Sequence, residues 1–264
     1  MRKIDLEQIK KTVVFIGTLK DDENGKKKSF LTGTASLINI DGINYVITAK
    51  HVVCDITDKG KVIKEKSDLY SFVKGKQENG KVIAKKLREK DEQWLYHKND
   101  EVDLVIIPFT IDKDNCDILS LPTNFFINPN DVYETNEVFF ISYQPNISII
   151  EKDNGISPIV RKGMISRVNN DNTYYIDGSA FPGNSGSPVY MLPTATRFTD
   201  SGITIGADKL GGKLVGIIGS YLPYLDVAIS EQTKRPRVVF EENTGLSKVW
   251  STSLISEIIS SKKI

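Results

Sequence analysis

Short apolar stretches recur along the chain and alternate with residues that favour turns. Residues 13–17, 33–38, 44–48 and 104–107 are runs of four to six mostly apolar residues. Asp41-Gly42, between the second and third run, is a strong hairpin-turn signal. Runs of this length, punctuated by Gly, Pro, Asn and Asp, indicate antiparallel strands in barrels or sandwiches. The sequence therefore predicts an all-β protein.

The second half of the chain repeats the same pattern. Its strand-like runs are residues 137–142, 159–168, 173–177, 187–191, 203–206, 214–219 and 237–240. Helices are expected only at the two ends. A short N-terminal helix is expected around Leu6 and Ile9, and a C-terminal helix after Ser251 or Ser253.

Length and charge exclude several classes of protein. The chain has 264 residues, of which 39% are hydrophobic, which suits one large all-β domain or two smaller ones. Thirty-five basic and thirty-four acidic residues leave a net charge of +1, so no general attraction to nucleic acid or to an anionic membrane is expected. The first residues lack the apolar core of a signal peptide, and no apolar stretch approaches the roughly 20 residues that span a bilayer.

Cysteine usage favours a reducing compartment. Cys54 and Cys116 are the only cysteines, and without a signal peptide they indicate a cytoplasmic protein with free thiols. A Cys54–Cys116 bridge is the alternative. Two histidines and two cysteines that do not cluster argue against a zinc site, and no cofactor is expected.

Three polar residues stand beside or within strand-like stretches, in the order His, Asp, Ser. His51 follows the run that ends at Thr48, Asp103 precedes the run 104–107, and Ser185 lies in the segment 183–188, Gly-Asn-Ser-Gly-Ser-Pro. A serine hydroxyl becomes a good nucleophile when a base takes its proton, and a carboxylate can fix the tautomer of that base. The neighbouring glycines let the backbone turn sharply and present N–H groups to a developing oxyanion.

These three motifs, and their order along the chain, resemble those of the trypsin-like serine peptidases with a chymotrypsin fold. The strings at 183–189 and at 51–53 are most similar to those of two bacterial groups, the glutamyl endopeptidases and the high-temperature-requirement proteases. The resemblance implies two antiparallel six-stranded β-barrels, residues 1–118 and 119–264, which together form one peptidase domain with the active cleft between them. It also implies a C-terminal helix.

The resemblance assigns roles to individual residues. His51 is the expected general base, Asp103 the carboxylate that orients it, and Ser185 the nucleophile. The backbone N–H groups of Gly183 and Ser185 are the expected oxyanion hole. Asp100 and Glu101 are rivals of Asp103, but only Asp103 directly precedes the apolar run.

Two neighbours of these residues depart from the common family pattern. Lys50 stands where the family most often has Ala, and it either acts on His51 as a nearby cation or points to solvent. Asn184 stands where animal digestive enzymes have an Asp that pairs with a new N-terminus after cleavage. Because Asn cannot form that ion pair, no processing switch of that type is expected.

The resemblance also places the primary specificity pocket. Ser179, six residues before the nucleophile, is expected at its base, and Gly219, Ser220 and Tyr221 are expected along its wall. Ser179 is not acidic, so the pocket is expected to accept a small or medium apolar residue; the alternative is a shifted loop that brings in Asp177. A substrate backbone would add as a strand to this wall. The long loop at 192–212 is expected to form a lid or a partner surface.

Together these features predict a serine endopeptidase that cleaves polypeptides and is controlled by a regulatory protein partner, because an unregulated cytoplasmic protease endangers its cell. The alternative is a catalytically silent protease fold that serves as a binding or signalling module.

The basic stretch at residues 59–90 lacks interleaved stacking aromatics, so it is interpreted as a solvated face rather than a nucleic-acid site. His97 is expected on a surface loop, and no membrane contact is expected.

Overall fold

The computed structural model describes most of the chain. The described residues are 5–21, 25, 27–76, 81–88, 92–145, 147–150, 155–199, 202–206 and 209–261. Within them the chain is mostly β-strand, with few helices, so the predicted all-β class is confirmed.

The helices are short. Two of them lie near the two ends of the chain, as predicted, and the third is a single turn in the first half. They are α1 (Leu6–Lys10), α2 (Lys50–Val53) and α3 (Thr252–Ser260), with single 3₁₀ turns at Thr123–Phe125 and Pro129–Asp131. Asp5 begins α1 with a capping box, in which its carboxylate accepts from Gln8 N at 2.7 Å. Ser251 is the N-cap of α3, one of the two caps expected from the sequence.

Ten strands belong to the first half of the chain. They are β1 (Val13–Asp21), β2 (Lys27–Ile40), β3 (Ile43–Thr48), β4 (Cys54–Ile56), β5 (Val62–Glu65), β6 (Leu69–Lys74), β7 (Val82–Lys86), β8 (Leu95–Tyr96), β9 (Val105–Pro108) and β10 (Leu121–Pro122). Eight of them form one sheet in the order β7-β6-β1-β2-β3-β9-β8, with β10 parallel to β2, while β4 and β5 pair separately. β10 lies beyond the predicted boundary at residue 118 and still belongs to this sheet.

Ten further strands belong to the second half. They are β11 (Glu137–Ser142), β12 (Ile149–Ile150), β13 (Gly155–Ile156), β14 (Ile159–Val168), β15 (Thr173–Asp177), β16 (Pro188–Met191), β17 (Thr196–Thr199), β18 (Gly202–Ile205), β19 (Leu214–Ile229) and β20 (Pro236–Ser251). Six of them close into the barrel β11-β14-β15-β20-β19-β16. The segment predicted as a lid or partner surface, residues 192–212, contains the separate hairpin β17–β18.

The prediction is two antiparallel six-stranded β-barrels, and the first half differs from it in the number and closure of its strands. The second half is a closed six-stranded barrel, whereas the described strands of the first half form an eight-stranded sheet whose strand pairing does not close. The additional strands β8 and β10 have two residues each, too few to show a hydrophobic alternation in the sequence.

Three buried apolar clusters hold these layers together. One lies within the first sheet and a second lies inside the barrel. The third joins both sheets to α3, and it includes Phe15 and Ile47 from the first sheet, Tyr190 and Trp250 from the barrel, and Ile255 from the helix. The sheets therefore share one continuous apolar contact, which includes Val102 and Leu104 on either side of Asp103.

Candidate active site

The Asp103 carboxylate holds His51 at two points. Asp103 Oδ2 lies 2.7 Å from His51 Nδ1, and Asp103 Oδ1 accepts a hydrogen bond of 3.0 Å from His51 N. Strand pairing brings the two residues together, because Thr48 at the end of β3 pairs with Val105 at the start of β9. The imidazole is thus fixed at its Nδ1 side, and Nε2 remains for another partner. The rival carboxylates of Asp100 and Glu101 do not replace Asp103 in this contact.

Lys50 is buried rather than solvated. Only 2% of the residue is exposed, and its Nζ donates to Asp100 O at 2.6 Å. Burial lowers the pKa of Lys50, while the carboxylates of Asp103 and Asp100 act in the opposite direction. The sequence did not decide whether the Lys50 side chain acts on His51 or points to solvent. In the structure its bond to Asp100 O connects α2 to the segment before Asp103. On the other side of α2, Lys66 Nζ donates to His51 O at 2.8 Å.

Ser185 lies on a loop that Thr34 of β2 connects to the first sheet. Thr34 N donates to Ser185 O at 2.9 Å, and Thr34 Oγ1 donates to Gly183 O at 2.8 Å. The same Oγ1 accepts from Tyr143 N at 2.9 Å, and Thr34 O accepts from Thr48 Oγ1 at 2.7 Å. Two polar atoms of this fully buried residue, its N and its Oγ1, therefore hold the loop of Ser185, while its O is bound by Thr48 of the same sheet. Nothing in the sequence pattern pointed to Thr34.

The same loop comes close to the helix that carries His51. A Cβ atom added to Gly33 would lie 2.6 Å from Val52 Cγ1 and 3.2 Å from Ser185 O. The residue after His51 and the main chain of Ser185 thus meet over Gly33. Within the described part of the chain, neither His51 Nε2 nor Ser185 Oγ has a hydrogen-bond partner. Such pairs often close only when substrate is bound.

Two glycines with positive φ frame Ser185. Gly183 has a φ of 96° and Gly186 a φ of 86°, in the region that non-glycine residues rarely adopt. The N–H groups of Asn184, Gly186 and Ser187 donate to Phe181 O, Ile218 O and Asn184 O, respectively. The N–H groups of Gly183 and Ser185 find no acceptor among the described residues. The two donors expected to form an oxyanion hole are thus the two that the loop leaves unused.

Asn184 holds the loop from inside. Its side chain is fully buried, its Oδ1 accepts from Phe181 N at 2.9 Å, and its Nδ2 donates to Tyr143 O at 3.4 Å. Both contacts use groups within the second half of the chain. The arrangement therefore satisfies this side chain without a charged partner from a chain terminus.

Of the residues predicted for the specificity pocket, Ser179 and Tyr221 lie on either side of β20. Ser179 is exposed, and its Oγ would lie 3.8 Å from a Cβ at Gly245. Tyr221 is half-buried, and its hydroxyl donates to Glu241 Oε1. Ser247, which sequence reasoning missed, connects the two sides, because it pairs with Tyr221 in the sheet and donates through Oγ to Gly178 O at 2.7 Å.

The other two residues predicted for the wall of the pocket, Gly219 and Ser220, differ in their burial. Gly219 is buried under the Trp250 ring, because a Cβ at Gly219 would lie 2.5 Å from Trp250 Nε1, whereas Ser220 is exposed. Asp177, the alternative base of the pocket, is an exposed residue of β15 that pairs with Met164 and with Leu246. It is thus part of a regular strand rather than of a shifted loop.

The expectation that His97 lies on the surface is wrong. His97 is 9% exposed, its Nε2 lies 3.0 Å from Glu257 Oε2 of α3, and its Nδ1 accepts from Asn99 N at 3.0 Å. A histidine between two charged or polar loop residues looks solvated in sequence, because its partner is 160 residues away. In the structure it anchors the segment before Asp103 to the C-terminal helix.

The two cysteines are unpaired and buried, so the alternative Cys54–Cys116 bridge is not formed. Burial raises the pKa of both thiols. In the described residues no group of three or more His, Cys, Asp or Glu side chains could hold a metal ion. None of the helices of the described chain has the length and apolar character needed to cross a membrane.

Comparisons with known proteins address the fold and the family. A crystal structure of the serine endoprotease from Yersinia pestis is similar to this chain with a TM-score of 0.50 and 16% sequence identity. The match covers 97% of this chain, which spans 64% of the length of that protein's chain, and at this identity the likeness concerns the fold. No curated protein gives a significant sequence match.

The family comparison is more direct. The model of the trypsin-like peptidase domain matches residues 33–192, which is more than half of the chain. This range includes His51, Asp103 and Ser185. The chain therefore belongs to the family of trypsin-like peptidase domains.

Proposed function

We propose that this chain is a serine endopeptidase that uses Ser185, His51 and Asp103. The observation that carries the proposal is the double contact of Asp103 with the ring and the backbone of His51, at 2.7 and 3.0 Å. A carboxylate in this place fixes the ring so that its other nitrogen can act as a base. The two unused N–H groups beside Ser185 support the same function.

The reaction follows from these positions. Ser185 Oγ attacks the carbonyl carbon of a peptide bond while His51 Nε2 takes the hydroxyl proton, and Asp103 stabilises the resulting imidazolium. The N–H groups of Gly183 and Ser185 stabilise the negative charge on the carbonyl oxygen. His51 then returns the proton to the leaving amine, which leaves an acyl-enzyme on Ser185. Water, activated by His51 in the same way, hydrolyses this ester and restores the free serine.

The substrate in this proposal is a polypeptide with a small or medium apolar residue before the cleaved bond. Ser179 would lie at the base of the pocket, with Gly219, Ser220 and Tyr221 along its wall. The uncharged Ser179, and the place of Asp177 in a regular strand, support an apolar preference over a basic one. The substrate backbone would add to the edge of β19 near these residues.

The cellular setting is also a proposal. Two free, buried cysteines support a reducing, cytoplasmic compartment. Because Asn184 makes its contacts without a charged partner, a switch that pairs this residue with a new N-terminus is not expected, which supports control by a regulatory protein partner. The halves 1–118 and 119–264 would act as one peptidase unit of the bacterial glutamyl-endopeptidase and high-temperature-requirement branch, which the segment 183–188 supports.

Labelling with a fluorophosphonate probe tests the activity. The purified chain is expected to form a covalent adduct, and Ser185→Ala and His51→Ala are expected to abolish it. Circular dichroism of the two variants shows whether they keep the fold. A well-folded wild-type chain that is not labelled, alone or with cell extract added, would contradict the proposal and favour the silent binding module. Full-rate cleavage of unfolded protein by the purified chain alone would instead remove the case for partner control.

A further inference from the structure

Strands β19 and β20 continue beyond the barrel as a two-stranded ribbon. Each strand has 16 residues, but only their barrel ends pair with other strands, β19 with β16 as far as Ile217 and β20 with β15 from Leu246. From Pro223↔Asn243 outward the two strands pair only with each other. We call residues 223–243 the ribbon.

The ribbon exposes apolar side chains that none of the other described residues covers. Apart from the half-buried Ser230, all of its residues are exposed. Its regularly paired part carries six large apolar side chains that are 40–59% exposed, namely Tyr224, Leu225, Val227, Val238, Val239 and Phe240. A free two-stranded ribbon is at best marginally stable in water, and exposed apolar patches of this kind mark interaction surfaces.

Charges are separated along the ribbon. The acidic residues Glu241 and Glu242 lie near its base, next to the barrel, and Asp226 follows them in the middle of the ribbon, opposite Phe240. The basic residues Lys234, Arg235 and Arg237 lie at its tip, with Glu231 as the one acid there. All of these residues are exposed. Val227, Val238 and Val239 lie between these acids and the basic tip, whereas Tyr224 and Leu225 lie directly opposite Glu242 and Glu241.

This separation makes the ribbon complementary to itself. When two ribbons lie antiparallel, the basic tip of each lies beside the acidic base of the other, and both ion-pair regions form at once around a twofold axis. A parallel arrangement would bring like charges together. Alternation along the strands places Leu225, Val227 and Val239 on one face together with Glu241, and Asp226 and Glu242 on the other. The apolar side chains of the first face can therefore pack against their copies while its one acid, Glu241, lies at the base, where the basic tip of the partner would lie.

We infer that the ribbon is the interface of a homodimer in which two copies of this chain pack antiparallel, tip to base. A ribbon of this size offers less than the about 800 Å² per partner of a standard interface, so the dimer is expected to be concentration-dependent. The exposed charges are expected to make it weaker at high salt. This inference concerns assembly and does not depend on the proposed peptidase activity.

Sedimentation velocity of the full chain, from low micromolar to hundred-micromolar concentration, tests the dimer with two charge variants. The first, Arg235→Glu/Arg237→Glu, has two acids in place of its tip arginines, and the second, Glu241→Lys/Glu242→Lys, has two lysines at its base. Each variant alone is expected to weaken self-association at least about tenfold, because like charges now meet. An equimolar mixture of the two is expected to restore association as a heterodimer.

Two further variants separate the ribbon from general effects. Lys59→Glu/Lys61→Glu changes two exposed charges outside the ribbon and is expected to dimerise like the wild type. A variant that lacks residues 226–240, with an Asn-Gly turn between Leu225 and Glu241, is expected to be a monomer with nearly unchanged thermal stability. A wild-type chain that stays monomeric throughout the concentration range would overturn the inference, and so would two charge variants that fail to associate when mixed.

Discussion

At the scale of single residues, Thr34 connects the two halves of the candidate site. Its hydroxyl alone makes two contacts with the second half, to Gly183 O and from Tyr143 N, at 2.8 and 2.9 Å. Gly183 belongs to the loop of Ser185, and Tyr143 lies beside this loop, where its O accepts from Asn184 Nδ2. The hydroxyl of a fully buried threonine thus positions the nucleophile from a strand of the opposite sheet.

Thr34→Val is expected to slow fluorophosphonate labelling about 10- to 100-fold, because small displacements of reacting groups cost rate steeply. The free energy of unfolding should fall by about 2–4 kcal/mol, since two buried polar groups lose their partner. Thr34→Ser keeps the hydroxyl and serves as the control, with labelling close to the wild-type rate. A larger effect of Thr34→Ser than of Thr34→Val would show that the methyl group, and not the hydroxyl, matters.

Gly186→Ala is expected to destabilise the chain far more than Gly42→Ala. Both glycines have a φ of 86°, so placing an alanine in this backbone conformation costs about 1 kcal/mol at either position. At Gly186 the added Cβ would lie 1.9 Å from Thr34 O, whereas at Gly42 nothing lies within 4 Å. Urea unfolding should show an additional loss of about 2 kcal/mol or more for Gly186→Ala. Similar losses in the two variants would mean that the contact with Thr34 relaxes freely.

A residue's role could be predicted from the sequence only where its neighbours along the chain reveal it. His51, Asp103 and Ser185 are each recognisable within a few residues, because strand, turn and polar residue stand together. Thr34, Lys50 and His97 take their roles from partners 50 or more residues away, such as Asp100 O for Lys50 and Glu257 for His97. Local patterns do not contain that information.

At the scale of elements, the loop from Ala180 to Ser187 is held from three directions. Thr34 holds it from the first sheet, Ser247 Oγ accepts from Ala180 N at 3.2 Å, and Asn184 holds it from inside. On its outer side, the Arg161 guanidinium lies 5.0 Å from the Phe181 ring. The contacts that hold this loop in the described residues all come from this chain.

Asn184→Asp tests whether this loop needs a neutral side chain. The carboxylate would replace the donor to Tyr143 O with an acceptor in a fully buried place, so one hydrogen bond is lost and a charge is left unpaired. We expect a loss of at least about 2 kcal/mol in unfolding free energy and a marked decrease in the rate of fluorophosphonate labelling. Asn184→Ser, small and neutral, is the milder comparison. Labelling of Asn184→Asp at the wild-type rate would contradict the role given to Asn184.

The strands show the same limit of sequence reasoning. The apolar runs at 214–219 and 237–240 predicted strands, but not that both continue for 16 residues as β19 and β20. Beyond the barrel, the ribbon alternates apolar and charged residues on both faces, which lacks the one-sided pattern of a strand packed on a core. Its length is set by pairing between the two strands.

At the scale of the whole molecule, Tyr190 lies where the two sheets meet. The side chain is fully buried, its ring stacks on Phe139 at 5.4 Å, and its hydroxyl lies 3.2 Å from Thr12 Oγ1, just before the first strand. Burial raises the pKa of Tyr190 to about 12, although the contact with Thr12 acts in the opposite direction. Burial likewise raises the pKa of Tyr174, inside the barrel, to about 12.

These raised pKa values predict that the fold loses stability at alkaline pH. Their contribution is fully present below about pH 10, where tyrosine is also protonated in the unfolded chain. Between about pH 10 and 12 the unfolded chain releases the proton while the folded chain retains it, so stability should fall by roughly 2–3 kcal/mol for each such tyrosine. Urea unfolding at a series of pH values measures this slope.

Tyr190→Phe removes one titrating group, so the stability of this variant should fall less steeply above pH 10, and adding Tyr174→Phe should flatten the curve further. A slope that is the same in wild type and both variants would mean that the phenols at the junction and in the barrel ionise without opening the fold.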